Sequence, residues 1–167
     1  MATTNHSPVT VRSMAAGEVP TLLTLIDALL DYEGLPRPDA GARARLAADA
    51  AASPPLFWVL LAEREGRSVG YAFYFFTYST ILAQPTLFLE DLFVLPEARR
   101  GGVARALFRA LARVAVAEGC GRIDWQVLSW NRLAMNFYAR LGARPLPEWQ
   151  PWRLLPEQFG PLAEEEG

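Results

Sequence analysis

The chain has 167 residues, a length that suits one domain able to bury a core without disulfides or metal ions. About half of the residues are apolar (51%) and the formal net charge is −2, which argues against disorder and against a broad basic face for nucleic acid. The chain has a single cysteine, Cys120, and a single histidine, His6. A disulfide framework, a Cys/His zinc site and a serine–histidine nucleophile pair are therefore not expected.

The apolar segments predict no membrane association. The longest, such as LFWVLLA and YAFYFF, are far shorter than the roughly 20 residues that a membrane-spanning helix needs. The first residues, MATTNHSP, lack a basic segment followed by an apolar one and so do not form a secretion signal. We therefore expect a cytoplasmic protein with a flexible tail over residues 1–8, in which His6 is disordered.

The first half of the chain predicts a strand, two helices and a hairpin. VTVRSM alternates as a strand, and leucines recur at helical spacing between Glu18 and Tyr32. An alanine-rich helix is predicted over about 40–51 and ends at SPP. Two apolar runs, LFWVLLAE and SVGYAFYFFTY, are joined by REGR, whose Glu-Gly pair is a turn signal, and this pattern predicts a β-hairpin.

The second half predicts strand, helix, strand, helix, strand. The strands are TLFLEDLFV, RIDWQVL and WRLL. The first helix covers about 102–118 and is closed by GCG, and the second is NRLAMNFYARLG. The element order favours an α+β fold, a single mixed sheet in one domain over 9–160, followed by an acidic tail over 161–167. The segment from about 86 to 128 is the one parallel crossover unit, and ligands of open sheets bind at such strand ends.

The segment RRGGVA, which joins the predicted strand TLFLEDLFV to the helix over about 102–118, is a candidate phosphate site. A helix N-terminus offers unpaired N–H groups and a positive dipole end, so it attracts phosphate without a lysine. Gly101, Gly102 and Ala104 keep side chains out of the way, and Arg99, Arg100 and Arg105 add positive charge. The alternative is a tight turn with solvated arginines. A dinucleotide-binding fold fits less well because G-x-G-x-x-G is absent.

Five further residues, Glu90, Asp91, Tyr138, Asn131 and Cys120, are candidates for a catalytic or a structural role. Glu90 and Asp91 are adjacent in an apolar strand, where a carboxylate is costly unless it is paired or its pKa rises, and a raised pKa suits a general base. Alternatively, one faces solvent and the other caps a buried partner. Tyr138 by pattern alone is a core tyrosine of an amphipathic helix, and Asn131 is a helix N-cap. Cys120 is expected to be structural because no basic partner lies near it in sequence.

The chain resembles the Gcn5-related N-acetyltransferase (GNAT) superfamily, whose coenzyme-A loop has the pattern Gln/Arg-x-x-Gly-x-Gly/Ala. Residues 99–104 match it with alanine in the last position, between a strand and a helix, and the element order is also similar. The nearest resemblance is to the diamine (spermidine/spermine) and thialysine N-acetyltransferases, through YAFYFFTY, LEDLFV, WNRLAMNFYARLGA and WRL. This implies a mostly antiparallel mixed sheet flanked by helices, acetyl-coenzyme A as cosubstrate, no metal, and a homodimer.

The resemblance also assigns roles to residues. Tyr138 would protonate the leaving thiolate, and Glu90 would act as base or amine anchor. The strand would diverge from its neighbour after the acidic pair, and its backbone would bind pantetheine. Coenzyme A would contact Leu92, Phe93, Val94, Arg99, Arg100, Gly101, Gly102, Val103, Ala104, Arg105, Asn131 and Tyr138. The acceptor would contact Tyr32, Glu33, Glu90, Asp91, Glu148 and Trp152.

The acceptor class is a small cationic amine, either a diamine or polyamine or a lysine-like amino acid. The polyamine enzymes carry an aspartate and a tryptophan just after Phe-Thr-Tyr, whereas this chain has Ser79, Thr80 and Ile81, so a long cation loses an anionic partner. Two alternatives are a coenzyme-A-binding sensor without turnover and an acetyltransferase for protein lysines or N-termini. Intact Glu90 and Tyr138 argue against the sensor, and the protein acetyltransferase needs an open groove.

Overall fold

A computed structural model describes residues 7–165, which form a five-stranded sheet in the order β1-β2-β3-β4-β5. The strands are β1 (Thr10–Ser13), β2 (Trp58–Arg64), β3 (Arg67–Ser79), β4 (Gln84–Val94) and β5 (Arg122–Trp125). The helices are α1 (Val19–Glu33), α2 (Ala40–Ala50), α3 (Val103–Ala117), α4 (Arg132–Arg140) and α5 (Pro156–Glu164). The chain divides into two compact units, Met1–Gln126 and Val127–Gly167, which are described separately.

The sheet is mixed and mostly antiparallel, as predicted. Strands β1 to β4 pair antiparallel in sequence, and only β4 and β5 are parallel, joined through α3. The β2–β3 turn contains Glu65 and Gly66, both in the left-handed region (φ 54° and 73°). A two-residue turn with both φ values positive matches the twist of the flanking strands, which explains the Glu-Gly signal.

Helices α1 and α3 pack on the sheet of the first unit. The predicted α1 leucines Leu22, Leu25 and Leu29 are buried against residues of β2, β3 and β4. Helix α3 buries Leu107 and Leu111 completely and contacts every strand of the sheet. The end of α3 is closed by a left-handed glycine, followed by a hydrogen bond from Cys120 N–H to the Ala115 carbonyl oxygen at 2.8 Å, so the predicted glycine cap is confirmed.

The C-terminal segment differs from the sequence prediction. WRLL was predicted as a strand, but residues 151–155 form neither strand nor helix. Three nearby prolines, at 145, 147 and 151, each remove a backbone donor that a strand ladder needs. Helix α5 was not predicted, because Gly160 and Pro161 are unfavourable inside a helix. It extends across the predicted boundary between domain and tail at 160/161.

The two termini lie partly outside the described residues. His6, whose disorder was predicted, is one of the residues not described. Within the described range, every helix is too short or too polar to cross a membrane.

Gly70 on β3 provides a test of how closely β4 and α3 approach this strand. A methyl group at this position would lie 2.6 Å from the Phe93 carbonyl oxygen and 3.3 Å from the Val94 side chain. Because a backbone atom cannot rotate away, we expect Gly70→Ala to lower the free energy of unfolding by about 1 to 3 kcal/mol in urea titration. Gly17→Ala is the control, since its methyl group would meet no atom within 4 Å and should leave stability within about 0.5 kcal/mol.

Candidate active site

Strand β4 loses one of its two neighbours halfway along its length. Its parallel pairing with β5 ends at Leu89↔Trp125, whereas its antiparallel pairing with β3 continues to Gly70↔Val94. Leu95 N–H donates to the Val69 carbonyl oxygen, so by alternation the polar backbone groups of Leu92 and Val94 face the side that β5 has left. This is the divergence that the resemblance implied, and we call residues 90–94 the open edge of β4.

The acidic pair lies where the divergence begins, on a β-bulge that the sequence did not predict. The register changes from Tyr74↔Leu89 to Phe73↔Asp91, so Glu90 is the extra residue of β4. The Glu90 side chain is exposed, and the Asp91 side chain is half-buried. The two carboxyl groups therefore have different surroundings, as expected for neighbours on a strand, although the bulge changes the local alternation.

The carboxyl group of Asp91 is set among groups that favour its protonated form. Loss of hydration raises the pKa of Asp91 to about 6, and the negative charges of Glu90 and Glu33 act in the same direction. The hydroxyl group of Tyr71, a completely buried residue, donates to Asp91 Oδ2 at 3.0 Å and partly opposes this rise. Tyr71 was not predicted as a site residue, since only the β3–β4 register shows that it lies diagonally across from Asp91.

The C-terminal end of α1 brings the predicted acceptor residues of that helix to the same place. Glu33 is half-buried, and burial raises its pKa. The Tyr32 ring lies 6.5 Å from the Phe93 ring, and the Arg99 guanidinium carbon lies 4.5 Å above the centre of the Tyr32 ring. Glu33 thus lies within electrostatic reach of Asp91 and, with Glu90 and Asp91, forms an acidic cluster at the start of the open edge of β4.

The glycine loop, residues 99–105, connects the open edge with α3. Gly102 is the N-cap of α3 with φ 80°, a left-handed conformation that favours glycine, and a side chain there would meet no atom within 4 Å. The first N–H groups of α3 have no acceptor inside the helix, so the space above Gly102 faces free donors. The loop therefore fits a pyrophosphate, and the open edge beside it fits an extended pantetheine arm.

The other predicted loop residues have distinct surroundings. Arg100 is exposed and has a φ of 61°, Arg105 is exposed, and Val103 is buried beneath the loop. Arg99 is already engaged within the chain, because its Nε donates to the Val94 carbonyl oxygen at 3.0 Å while its guanidinium covers Tyr32. Gly101 was predicted to give a phosphate room, but the place of its missing side chain is occupied by the guanidinium of Arg64. Nothing in the sequence pattern pointed to Arg64.

The second unit contains the remaining predicted site residues. Asn131 is the N-cap of α4, where its Oδ1 accepts from Ala134 N–H at 3.1 Å, as predicted. Tyr138 lies on α4 and is half-buried, whereas Glu148 and Trp152 are exposed. Their roles toward coenzyme A and the acceptor stay predictions.

The remaining residue types of interest are the cysteine thiol and the side chains that ligate metal ions. The thiol of Cys120 has its pKa raised by burial, which keeps it protonated and weakly nucleophilic, in line with the predicted structural role. Within residues 7–165, His, Cys, Asp and Glu side chains form no group of three or more that could hold a metal ion.

Comparison with known proteins identifies the family. The model of the Acetyltransferase (GNAT) family matches residues 22–143, which include most of α1, the acidic cluster, the open edge and the glycine loop. The chain belongs to the GNAT family of acetyltransferases. It is therefore an acyltransferase enzyme, and the resemblance seen in the sequence is confirmed.

One curated relative is similar in sequence, and two solved structures are similar in fold. A thialysine N-epsilon-acetyltransferase from Bos taurus is 34% identical over 152 residues, 86% of this chain and 89% of the relative. The fold is similar to that of an integron cassette protein from V. cholerae, with a TM-score of 0.77, 23% identity and coverage of 94% and 98% of the two chains. It is also similar to an aminoglycoside N-acetyltransferase solved in complex with coenzyme A, with a TM-score of 0.74, 22% identity and coverage of 92% and 99%.

The surroundings of Asp91 predict a stability gain when its charge is removed. When the pKa of an acid is raised by folding, its ionisation destabilises the folded protein. The loss of stability develops as pH rises from the unfolded-state pKa of 3.8 to the folded-state pKa of about 6, and it then stays constant. At about 1.4 kcal/mol per pKa unit, the loss amounts to about 3 kcal/mol. We expect Asp91→Asn, which can still accept from Tyr71, to be more stable than the wild type above pH 6 by up to that amount. The difference should vanish below about pH 4 in urea titrations, and an equal difference at every pH would contradict the assignment.

Proposed function

We propose that this GNAT enzyme transfers the acetyl group of acetyl-coenzyme A directly to a primary amine of a small cationic acceptor. The observation that carries the proposal is the acidic cluster of Glu33, Glu90 and Asp91 beside the open edge of β4. Negative charge at this place attracts an ammonium group to the strand edge on which a thioester would lie. The thialysine acetyltransferase relative, which the chain covers over most of its length, supports a lysine-like or diamine acceptor.

The acceptor must lose a proton before it can attack. A lysine-like ammonium with a pKa of about 10.4 is charged at neutral pH, and deprotonation there costs roughly 4 to 5 kcal/mol. A carboxylate that takes up the proton, directly or through water, lowers this cost. Glu90 is the base that the resemblance implies. Asp91 is a second candidate, because its pKa of about 6 is closer to neutral pH than that of an ordinary carboxyl group.

Coenzyme A would be held by the glycine loop and the open edge. The free N–H groups at the start of α3, with Arg100 and Arg105 nearby, would bind the pyrophosphate. The backbone groups of Leu92 and the N–H of Val94 would bind the pantetheine arm, since the Val94 carbonyl already accepts from Arg99. When bound, acetyl-coenzyme A supplies the activated acetyl thioester. The backbone donors of the open edge are suited to polarise its carbonyl group.

The resemblance supplies four further parts of the proposal. They are the proton donation by Tyr138, the coenzyme contact of Asn131, the acceptor contacts of Glu148 and Trp152, and the homodimer. Sedimentation of the full chain tests the homodimer independently of activity.

The function is tested by thiol release. We expect the purified chain, mixed with acetyl-coenzyme A and a panel of thialysine, diamines, spermidine, amino acids and aminoglycosides, to release free thiol with at least one lysine-like amine or diamine. A lysine-containing peptide tests the protein acetyltransferase. Tight coenzyme binding by calorimetry with no thiol release across the panel would instead favour a sensor, and absence of coenzyme binding would overturn the proposal.

The identity of the base is tested by the pH dependence of kcat/KM with the best amine of the panel. If Asp91 must be ionised, kcat/KM of the wild type falls as pH drops below about 6, since the carboxyl group is then protonated. Asp91→Asn should abolish this fall in kcat/KM below pH 6, together with most of the activity. Glu90→Gln should retain the fall below pH 6. The opposite result, with the break lost only in Glu90→Gln, would assign the base to Glu90.

A further inference from the structure

The side chain of Arg64, the last residue of β2, reaches under the glycine loop. Its Nη2 donates to the Gly101 carbonyl oxygen at 2.8 Å. A methyl group at Gly101 would lie 2.2 Å from Nη2 and 2.9 Å from both Cζ and Nη1, so the guanidinium fills the space that the absent side chain leaves. Gly101 itself is outside the left-handed region, in contrast to Gly102. Glycine at 101 is therefore needed for the approach of Arg64 and not for backbone conformation.

This contact determines the direction of a backbone donor. The Gly101 carbonyl and the Gly102 N–H belong to one planar trans peptide, so they point in opposite directions. With the carbonyl oxygen held by Arg64 on the sheet side, the Gly102 N–H is directed away from β2. The preceding residue, Arg100, has a positive φ that is unfavourable for a non-glycine residue, so the loop needs external contacts to keep this conformation.

The charge of Arg64 also lacks a counterion within the described chain. The nearest partner is a neutral carbonyl group, no carboxylate of the described residues lies within 4.0 Å, and Nε is buried without a hydrogen-bond partner. A half-buried guanidinium in this situation favours a nearby anion. The neighbouring cation Arg67 differs, since it is exposed and pairs with Glu97 at 3.3 Å.

We propose that Arg64 is a positioning residue of the coenzyme site, which holds the Gly101–Gly102 peptide so that the glycine loop presents its N–H groups to a pyrophosphate. This inference rests on the proposed function. It adds a residue from β2, far outside the loop motif in sequence, to the determinants of coenzyme binding. It also assigns the two glycines of the loop different tasks, Gly102 for conformation and Gly101 for space.

Three single variants separate position from charge. Arg64→Met should raise the Kd for coenzyme A, measured by calorimetry, by about tenfold or more, in keeping with a lost hydrogen bond from a charged donor. Arg64→Lys keeps the charge but not the planar geometry and should recover only part of the affinity. Arg67→Met removes an exposed cation from the same hairpin and should change Kd less than about twofold. Equal losses in Arg64→Met and Arg67→Met would show that only net charge matters and would overturn the inference.

Hydrogen exchange tests the loop without any ligand. Amides of residues 101–105 should exchange faster in Arg64→Met than in the wild type or Arg67→Met, while the amides of β3 keep their protection. Unchanged exchange in the loop would overturn the positioning role. If the wild type binds no coenzyme A, the proposed function fails, and the exchange result still decides whether Arg64 holds the loop.

A double-mutant cycle provides the sharpest check and does not depend on how stable Arg64→Met is. Gly101→Ala should weaken coenzyme binding in the wild type, because the methyl group displaces the guanidinium. In Arg64→Ala the space beside Gly101 is empty, so adding Gly101→Ala should raise the Kd for coenzyme A only slightly further. Strictly additive losses in Kd would mean that the two residues act independently and would contradict the inference.

Discussion

The candidate site depends on the unequal pairing of β4. Its four residue pairs with β5 end at Leu89, while β3 accompanies it to Val94. Backbone N–H and C=O groups in a folded chain require partners, so a strand edge that opens inside a sheet is costly unless something else binds it. Arg99 satisfies one such group, the Val94 carbonyl, and in doing so links the open edge to both the glycine loop and Tyr32 of α1. A ligand with an amide-containing arm is suited to satisfy the others.

The same strand explains the electrostatics of the site. Asp91 follows the bulge and lies on the face that carries Tyr71 and Phe93, both part of the core beneath α1. Because side chains alternate along β4, the carboxyl group of Asp91 lies on the core side and is desolvated. Glu33 at the end of α1 adds a second negative charge. The charge of Asp91 therefore opposes folding at neutral pH, and within residues 7–165 none of these carboxyl groups forms an ion pair with a cation. Such a cluster is suited to a cationic ligand.

The sequence predicted the elements better than their details. Periodicity was sufficient for α1, α3 and the hairpin, because apolar spacing and the Glu-Gly and glycine-cap signals act locally. It was insufficient for the Glu90 bulge, for Tyr71 and for Arg64, each of which depends on the register between strands or on a contact between residues far apart in sequence. After residue 143, periodicity predicted a strand at WRLL that is a loop and missed helix α5. Prolines and an unfavourable Gly-Pro pair there hide the usual difference between the patterns of strand, loop and helix.

The strand geometry also bears on the acceptor. Ser79 comes just after Phe-Thr-Tyr, where the polyamine enzymes have an aspartate, and its neutral side chain predicts that a long cation lacks an anionic partner. Along β3, however, Ser79 is eight residues from Tyr71, which at about 3.3 Å per residue places it roughly 26 Å from the partner of Asp91. Within one chain, no small diamine can contact both places. The identity of residues 79–81 therefore does not change the charge at the acidic cluster, which Glu33, Glu90 and Asp91 provide.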